Sequence, residues 1–213
     1  MIRDARHPVW TKAWSAYVRW KFQRAFRGLW MRGALPADEP VVLYANHTNF
    51  WDGFVAHLVV QGAAREGYVM MEERNLERFR FLRRLGAFSV RRGSPASARE
   101  SLRHAAGLLE RPRSTVLVFP QGKLEPYRAA LHCERGAELL ARWARVRCVP
   151  MVIRYEVFEH EFPDVLVAVG APHEPCGPIE LAARLSDLRS VVDSIEAPEG
   201  LPRLVVGRRS VAE

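Results

Sequence analysis

Apolar residues in this chain fall in short continuous runs, separated by stretches in which they recur every three or four positions. The runs at residues 41–45, 68–71, 87–90, 115–119, 147–155 and 165–169 read as strands. Being apolar on both faces, they belong between two covering layers. The intervening segments 50–63, 75–85, 94–110, 133–145 and 178–194 carry helical periodicity. Strands alternating with helices predict an α/β architecture, a largely parallel central sheet flanked by helices. In such sheets reacting groups collect at the carboxyl ends of the strands, which directs attention to the segments after residues 45 and 119.

The first segment differs from the others. Residues 8 to about 32 read as one helix, with Pro8 tolerated in its first turn and Gly33 and Pro36 closing it. On a helical wheel Trp14, Tyr17, Val18, Phe22, Phe26 and Leu29 share one half, and Lys12, Arg19, Arg24 and Arg27 the other. Lys21 interrupts the apolar half and Trp20 and Trp30 the polar half, so the amphipathic character is imperfect. Two readings stay open. A helix of interleaved aromatic and basic residues suits the headgroup layer of a bilayer, with Trp10, Trp14, Tyr17, Phe22, Phe26 and Trp30 as docking side chains. The same pattern also suits a helix packed on its own domain. The expected organisation is an N-terminal helical docking element at 1–35, an α/β domain at 36–197 and a poorly structured tail at 198–213.

Composition narrows the field. With 213 residues, 48% hydrophobic and 26% charged, the chain is long enough for one well-cored domain. Cys133, Cys148 and Cys176 are odd in number and far apart, with no CxxC pair. Neither a disulfide framework nor a metal site is expected, and a reduced, cytosolic setting fits. The first residues lack a continuous apolar core of the signal-peptide kind, and no apolar stretch reaches membrane-spanning length. The formal net charge is +8 and is concentrated. Residues 1–32 hold eight basic side chains against Asp4, and residues 74–92 hold seven against Glu77. Such polarity calls for an anionic partner. Nucleic acid is disfavoured, because no recognition motif accompanies the charge and the aromatics lie on a helix, not on a sheet platform. An anionic membrane surface remains.

Candidate chemistry sits just past residue 45. In Asn46-His47-Thr48-Asn49-Phe50-Trp51-Asp52 an imidazole and a carboxylate stand five positions apart at a strand-to-helix turn. If Asn49 caps the helix, Asp52 occupies the position from which a side chain reaches back to the cap. From there its carboxylate is also placed to meet the His47 ring, fix its tautomer and stabilise its cation. A histidine–aspartate pair at this spacing also arises by chance, and the pair alone leaves a structural histidine open. His57 reads as a core or boundary residue, and His132 and His160 lack partners at metal-ligand spacing.

Four segments, in order, resemble the glycerolipid acyltransferases typified by bacterial lysophosphatidic acid acyltransferase. His47 to Asp52, with the preceding Asn46, matches that family's H-x4-D motif. Gly86-Ala87-Phe88-Ser89-Val90-Arg91-Arg92 is similar to its glycine, aromatic and arginine block, with Arg92 in the arginine position and Arg91 replacing the usual acid. Phe119-Pro120-Gln121-Gly122-Lys123 is similar to its F-P-E-G-T block, with Gln121 for glutamate and Lys123 for threonine. Val149-Pro150-Met151-Val152-Ile153 resembles its V-P-hydrophobic block.

The resemblance implies a phospholipid-biosynthetic transferase: an O-acyltransferase moving a fatty acyl group from acyl-CoA or acyl-carrier protein to a lipid hydroxyl. His47 would be the general base and Asp52 its orienting partner. Asn46, Arg92, Gln121, Gly122 and Lys123 would be substrate-binding residues, with Arg92 and Lys123 suited to an anion. The implied partners are the acyl thioester, a lysolipid acceptor and an anionic membrane, with no metal or cofactor beyond the co-substrate. The implied location is peripheral, on the cytoplasmic face of the membrane. The replacements at Gln121 and Lys123 alter the charge at the acceptor end, so a glycosylated or amino-acid lipid stands beside lysophosphatidic acid as acceptor. A non-catalytic lipid- or acyl-binding protein of the same fold is the alternative.

Overall fold

The computed structural model describes residues 1–91 and 93–209. Eight strands are named in chain order: β1 (Gly28–Arg32), β2 (Val41–Ala45), β3 (Glu66–Glu72), β4 (Ala87–Val90), β5 (Ser114–Val118), β6 (Arg147–Glu156), β7 (Asp164–Val169) and β8 (Arg203–Val206). Six helices accompany them: α1 (Pro8–Ala25), α2 (Asp52–Gly62), α3 (Glu73–Arg78), α4 (Pro95–Leu108), α5 (Gly136–Ala144) and α6 (Pro178–Asp193). All eight strands form one sheet in the order β4-β3-β5-β2-β6-β7-β1-β8. The pairs from β4 to β6 are parallel, β7 runs antiparallel to β6, β1 is parallel to β7, and β8 is antiparallel to β1. The fold is thus the expected α/β arrangement, with an antiparallel flank that the apolar pattern did not reveal.

Strand alternation splits the core into two layers. Val42 and Tyr44 of β2 face α4, α5 and α6 with Phe88, Leu140 and Leu181, whereas Val41, Leu43 and Ala45 face α1 and α2 with Phe22, Val55 and Val59. The layers also explain where the sheet opens. After β2 the chain crosses the α1/α2 face to reach β3; after β5, its neighbour, it crosses the opposite face through α5 to reach β6. Two adjacent parallel strands whose chains depart to opposite faces leave a crevice beyond their carboxyl ends. Residues 46–52 and 119–125 both emerge there.

The N-terminal helix is shorter than its periodicity suggests, and residues 28–32 are a strand. Leu29 enters the α1/α2 layer and Trp30 the opposite layer, the period of two that the run of aromatics concealed. A buried ion pair forces the change. Arg27 is 2% exposed and its Nε donates to Asp164 Oδ2 at 2.9 Å, while Trp30 Nε1 donates to Asp164 Oδ1 at 2.7 Å. The Arg27 guanidinium also reaches Glu199 at 2.6 Å. Buried charges of this kind survive only when paired and hydrogen-bonded, so the backbone leaves the helix at Phe26 to deliver both side chains to Asp164.

Residues expected as a tail also fold. Arg203–Val206 forms the sheet edge against β1, with Val205 buried. Three consecutive apolar residues between Arg203 and Gly207 were too short a run to register as a strand. Residues 210–213 lie outside the described residues.

Helix α1 is seated on α2 through a polar clamp as well as apolar contacts. His57 of α2 lies 2.9 Å from Ser15 Oγ, whose proton goes to the Thr11 carbonyl at 2.8 Å. The imidazole is therefore the donor to Ser15. Burial, with Arg6 adding to it, pushes the His57 pKa down from 6.5 to about 4. Unfolded chains take up a proton here below pH 6.5 while the folded protein resists until about pH 4, so this site removes stability as the pH falls through that interval. The wild type should accordingly lose more thermal stability than His57→Leu when both are taken from neutral pH to about pH 5, read as the two shifts in melting temperature.

Candidate active site

The site begins where β2 ends. Asn46, expected to touch substrate, is 3% exposed and spent on the protein itself. Its Nδ2 donates to the Ile153 carbonyl at 2.9 Å and its Oδ1 accepts the Ile153 N–H at 2.8 Å. The ladder between β2 and β6 stops at the pair Ala45 and Met151, and the Asn46 amide continues it through a side chain. The strand end is thereby locked while the backbone is released to turn, one residue before His47.

His47 faces the crevice with its side chain 25% exposed. Its Nδ1 lies 2.9 Å from Asp52 Oδ2, and its ring stacks on Phe119 with centroids 4.1 Å apart and planes 17° apart. Asp52 is fully buried and accepts from several directions. Oδ2 takes the backbone N–H of Thr48 at 2.5 Å and of Asn49 at 2.9 Å; Oδ1 takes the hydroxyl of Tyr155 at 2.8 Å. The carboxylate reaches back to the Asn49 N–H and holds the ring, but from the first residue of α2: the helix starts at Asp52 with Trp51 as its N-cap, where the sequence suggested Asn49. Surrounded by donors, the carboxylate requires that His47 Nδ1 carry a proton, which leaves Nε2 with a free lone pair. Tyr155, on β6, was not singled out from the sequence. Burial and the adjacent Asp52 charge push its phenol pKa up, so the hydroxyl stays a donor. A tyrosine at the end of an apolar strand looks like core, and only pairing of β6 beside β2 brings it to the carboxylate.

The third segment brackets His47 from the β5 side. Gly122 adopts φ +68, a left-handed conformation at the tip of a turn closed by its N–H to the Phe119 carbonyl at 3.0 Å. Gln121, 7% exposed, accepts the His47 backbone N–H on Oε1 at 2.7 Å. It therefore holds the histidine, whereas the sequence suggested a substrate contact. Lys123 is largely exposed, with its ammonium 3.1 Å from Glu125. Glu125, another residue overlooked in the sequence, also accepts from Gln121 Nε2 at 2.6 Å, and these two donors hold its carboxyl below the usual range. Arg92 lies outside the described residues. Arg91 is bound to Glu73, which Ser89 also reaches at 2.9 Å; Glu73 opens α3 and ties it to β4. Among the described residues no three His, Cys, Asp or Glu side chains converge as a metal would require.

An aromatic and basic face runs from the His47–Asp52 loop along α1. The docking side chains expected on α1 divide in two. Phe22, Phe26 and Trp30 are buried in the core and are unavailable to any outside surface. Trp10 and Tyr17 are exposed, as is Trp20, and Trp14 links them onward. Its ring lies 5.2 Å from Tyr17, 5.8 Å from Phe54 and 5.3 Å from Phe81. Phe54 meets Phe50 at 4.9 Å; Phe50 is itself 64% exposed within the His47–Asp52 loop. Cations cover these rings: Lys21 over Phe50 and Tyr17, Arg24 over Trp20, and Arg84 over Trp10. Among the described residues no helix is long and apolar enough to cross a membrane.

A buried carboxylate that orients a partly exposed imidazole is an arrangement able to take up a proton. The Acyltransferase family model matches residues 31–154, a stretch that contains every residue of this arrangement except Tyr155, and the chain belongs to that family. Its fold is similar to that of the 1-acyl-sn-glycerophosphate (LPA) acyltransferase PlsC from Thermotoga maritima, with a TM-score of 0.66 and 18% sequence identity over 88% of this chain and 80% of that one. No curated protein sequence matches the chain.

Asn46→Ala leaves the Ile153 N–H and carbonyl without their partner in a buried setting. It should destabilise the fold by about 2–3 kcal/mol, read as a lower urea midpoint at unchanged slope.

Proposed function

We propose that the protein transfers a fatty acyl group from a thioester donor, acyl-CoA or acyl-carrier protein, to the hydroxyl of a lysophospholipid or related lipid. His47 is the general base. The observation that carries this reading is the contact between His47 Nδ1 and Asp52, which reserves Nε2 for the acceptor. An alcohol is a weak nucleophile until its proton is removed. As the acceptor oxygen bonds to the thioester carbonyl carbon, Nε2 takes the proton. Asp52 stabilises the imidazolium that forms. The tetrahedral adduct then collapses by breaking its carbon–sulfur bond, and the imidazolium protonates the departing thiolate. No acyl-enzyme and no metal enter the sequence. Membership of the Acyltransferase family supports the reaction type, and the fold neighbour that acts on 1-acyl-sn-glycerophosphate supports a lysolipid as the acceptor class. Gly122 and Lys123, at the rim, are the proposed contacts for the acceptor's polar end, together with Arg92.

The same reading makes the protein peripheral on the cytoplasmic face of a membrane. Exposed rings interleaved with cations match an anionic headgroup layer, at roughly 1 kcal/mol per basic residue near the surface. Because Phe50 belongs to the catalytic loop, docking on this face would bring the mouth of the site against the lipid that supplies the acceptor.

Two measurements test the proposal. His47→Ala should lower the release of CoA from oleoyl-CoA in the presence of mixed lysophospholipids by at least about a hundredfold while the protein stays folded at the assay temperature by circular dichroism; unchanged turnover would favour a non-catalytic lipid-binding protein. Replacing Trp10, Trp20 and Phe50 together by Ser should weaken sedimentation with phosphatidylglycerol vesicles roughly tenfold, and high salt should weaken it for the wild type. Equal sedimentation of variant and wild type sinks the docking face.

A further inference from the structure

We infer that Glu125 is a positioning residue for His47: it sets the orientation of the Gln121 side-chain amide, so that the carbonyl oxygen of that amide faces the His47 backbone. The inference rests on His47 being the base. Gln121 stands between two neighbours of opposite character. The His47 backbone N–H can only donate, and Gln121 Oε1 accepts it at 2.7 Å. The Glu125 carboxylate can only accept, and Gln121 Nε2 donates to it at 2.6 Å. Each neighbour permits one way round for the amide, and the two agree. Without Glu125 only the His47 N–H holds that orientation; the amide NH2 loses its acceptor, and the side chain is free to swing away from the His47 backbone.

A second bond makes the arrangement a bracket. The Glu125 backbone N–H donates to the His47 carbonyl at 2.9 Å. Residues 121 and 125 therefore grip both the N–H and the C=O of His47 from the β5 side, while Asp52 holds its ring from the α2 side. The left-handed Gly122 and the exposed Lys123 form the tip between the two gripping residues, and Lys123 balances the Glu125 charge at 3.1 Å.

The consequence is specific to this chain. A glutamate in place of Gln121 also accepts the His47 N–H, yet here it meets the Glu125 carboxylate at hydrogen-bond distance. Two such carboxylates hold together only by sharing a proton. Gln121→Glu should therefore lose activity relative to the wild type as the pH rises and the shared proton is lost, whereas Gln121→Glu/Glu125→Gln, with acceptor and donor exchanged, should recover most of it. Lys123, His132 and His47 also carry or gain charge around this turn. The double variant keeps the net charge of the wild-type turn, so its comparison with Gln121→Glu separates the clash of two carboxylates from the mere addition of a charge beside His47.

The experiment follows CoA release from oleoyl-CoA with mixed lysophospholipids by the full chain. Beside it runs amide hydrogen exchange at His47 by NMR, which reads the bracket whether or not the assay turns over. Glu125→Ala, which introduces no repulsion, should lower kcat about tenfold with KM for oleoyl-CoA unchanged, and should speed His47 amide exchange about tenfold. The inference is overturned by a Gln121→Glu ratio that does not vary with pH, by a double variant no better than the single one, or by unchanged His47 exchange in Glu125→Ala. Absence of any His47-dependent turnover in the wild type would instead overturn the acyl-transfer reading, and the exchange measurement would still decide the role of Glu125.

Discussion

The carboxylate of Asp52 is the point on which the site depends. It is buried at the first turn of α2 and collects backbone donors from Thr48 and Asn49, the ring N–H of His47 and the hydroxyl of Tyr155. Those donors come from the turn after β2, which includes the histidine, and from β6, so one side chain at the start of α2 fastens that turn to a strand residue 103 positions away. A buried anion with fewer donors would be expensive to keep, and a turn without an anion would leave its own N–H groups unpaired. Folding of the turn and orientation of the imidazole are for this reason a single event. The direction of the imidazole follows without further help: its Nδ1 is committed to Asp52, its face to Phe119, and its other nitrogen to the cleft.

How much of this was legible in the sequence depends on whether the contacts were local. The reach of Asp52 back to Asn49 and His47 spans five positions, and local spacing sufficed to foresee it, although the helix itself starts at Asp52 and not after Asn49. Strand and helix alternation likewise announced the parallel part of the sheet, because crossover connections bury strands on both faces. What the sequence hid were partners set by long-range pairing. Tyr155 stands 103 positions from Asp52 and looks like any strand tyrosine. Asn46, polar and beside the histidine, looked like a ligand contact, yet its donor and acceptor match a backbone on β6. Glu125 carries no signal of its own in the sequence, and only the turn at Gly122 brings it to face Gln121.

The N-terminal segment shows how two roles can be written in one composition. Its aromatic residues read as a single amphipathic surface, but the chain divides them at Phe26. Those that follow the helical pattern inward, with Trp30 from the strand beyond, serve the core; Trp10, Tyr17 and Trp20 remain outside among cations. The division is imposed by Asp164, whose buried charge takes Arg27 and the Trp30 indole from what would have been the last turns of the helix. Aromatic density alone does not separate a side chain that stabilises the fold from one that meets its surroundings.

Strand β1 lies between β7 and β8, its register partners running to Asp164–Ala168 on one side and to Arg203–Val206 on the other. A strand made early is therefore enclosed late, since both of its neighbours are made more than a hundred residues after it. Until β7 and β8 are made, α1 has α2 beside it but not the completed sheet beneath it. A nascent chain of this protein would thus present its stickiest helix to chaperones or to lipid well before the histidine has a pocket to stand in.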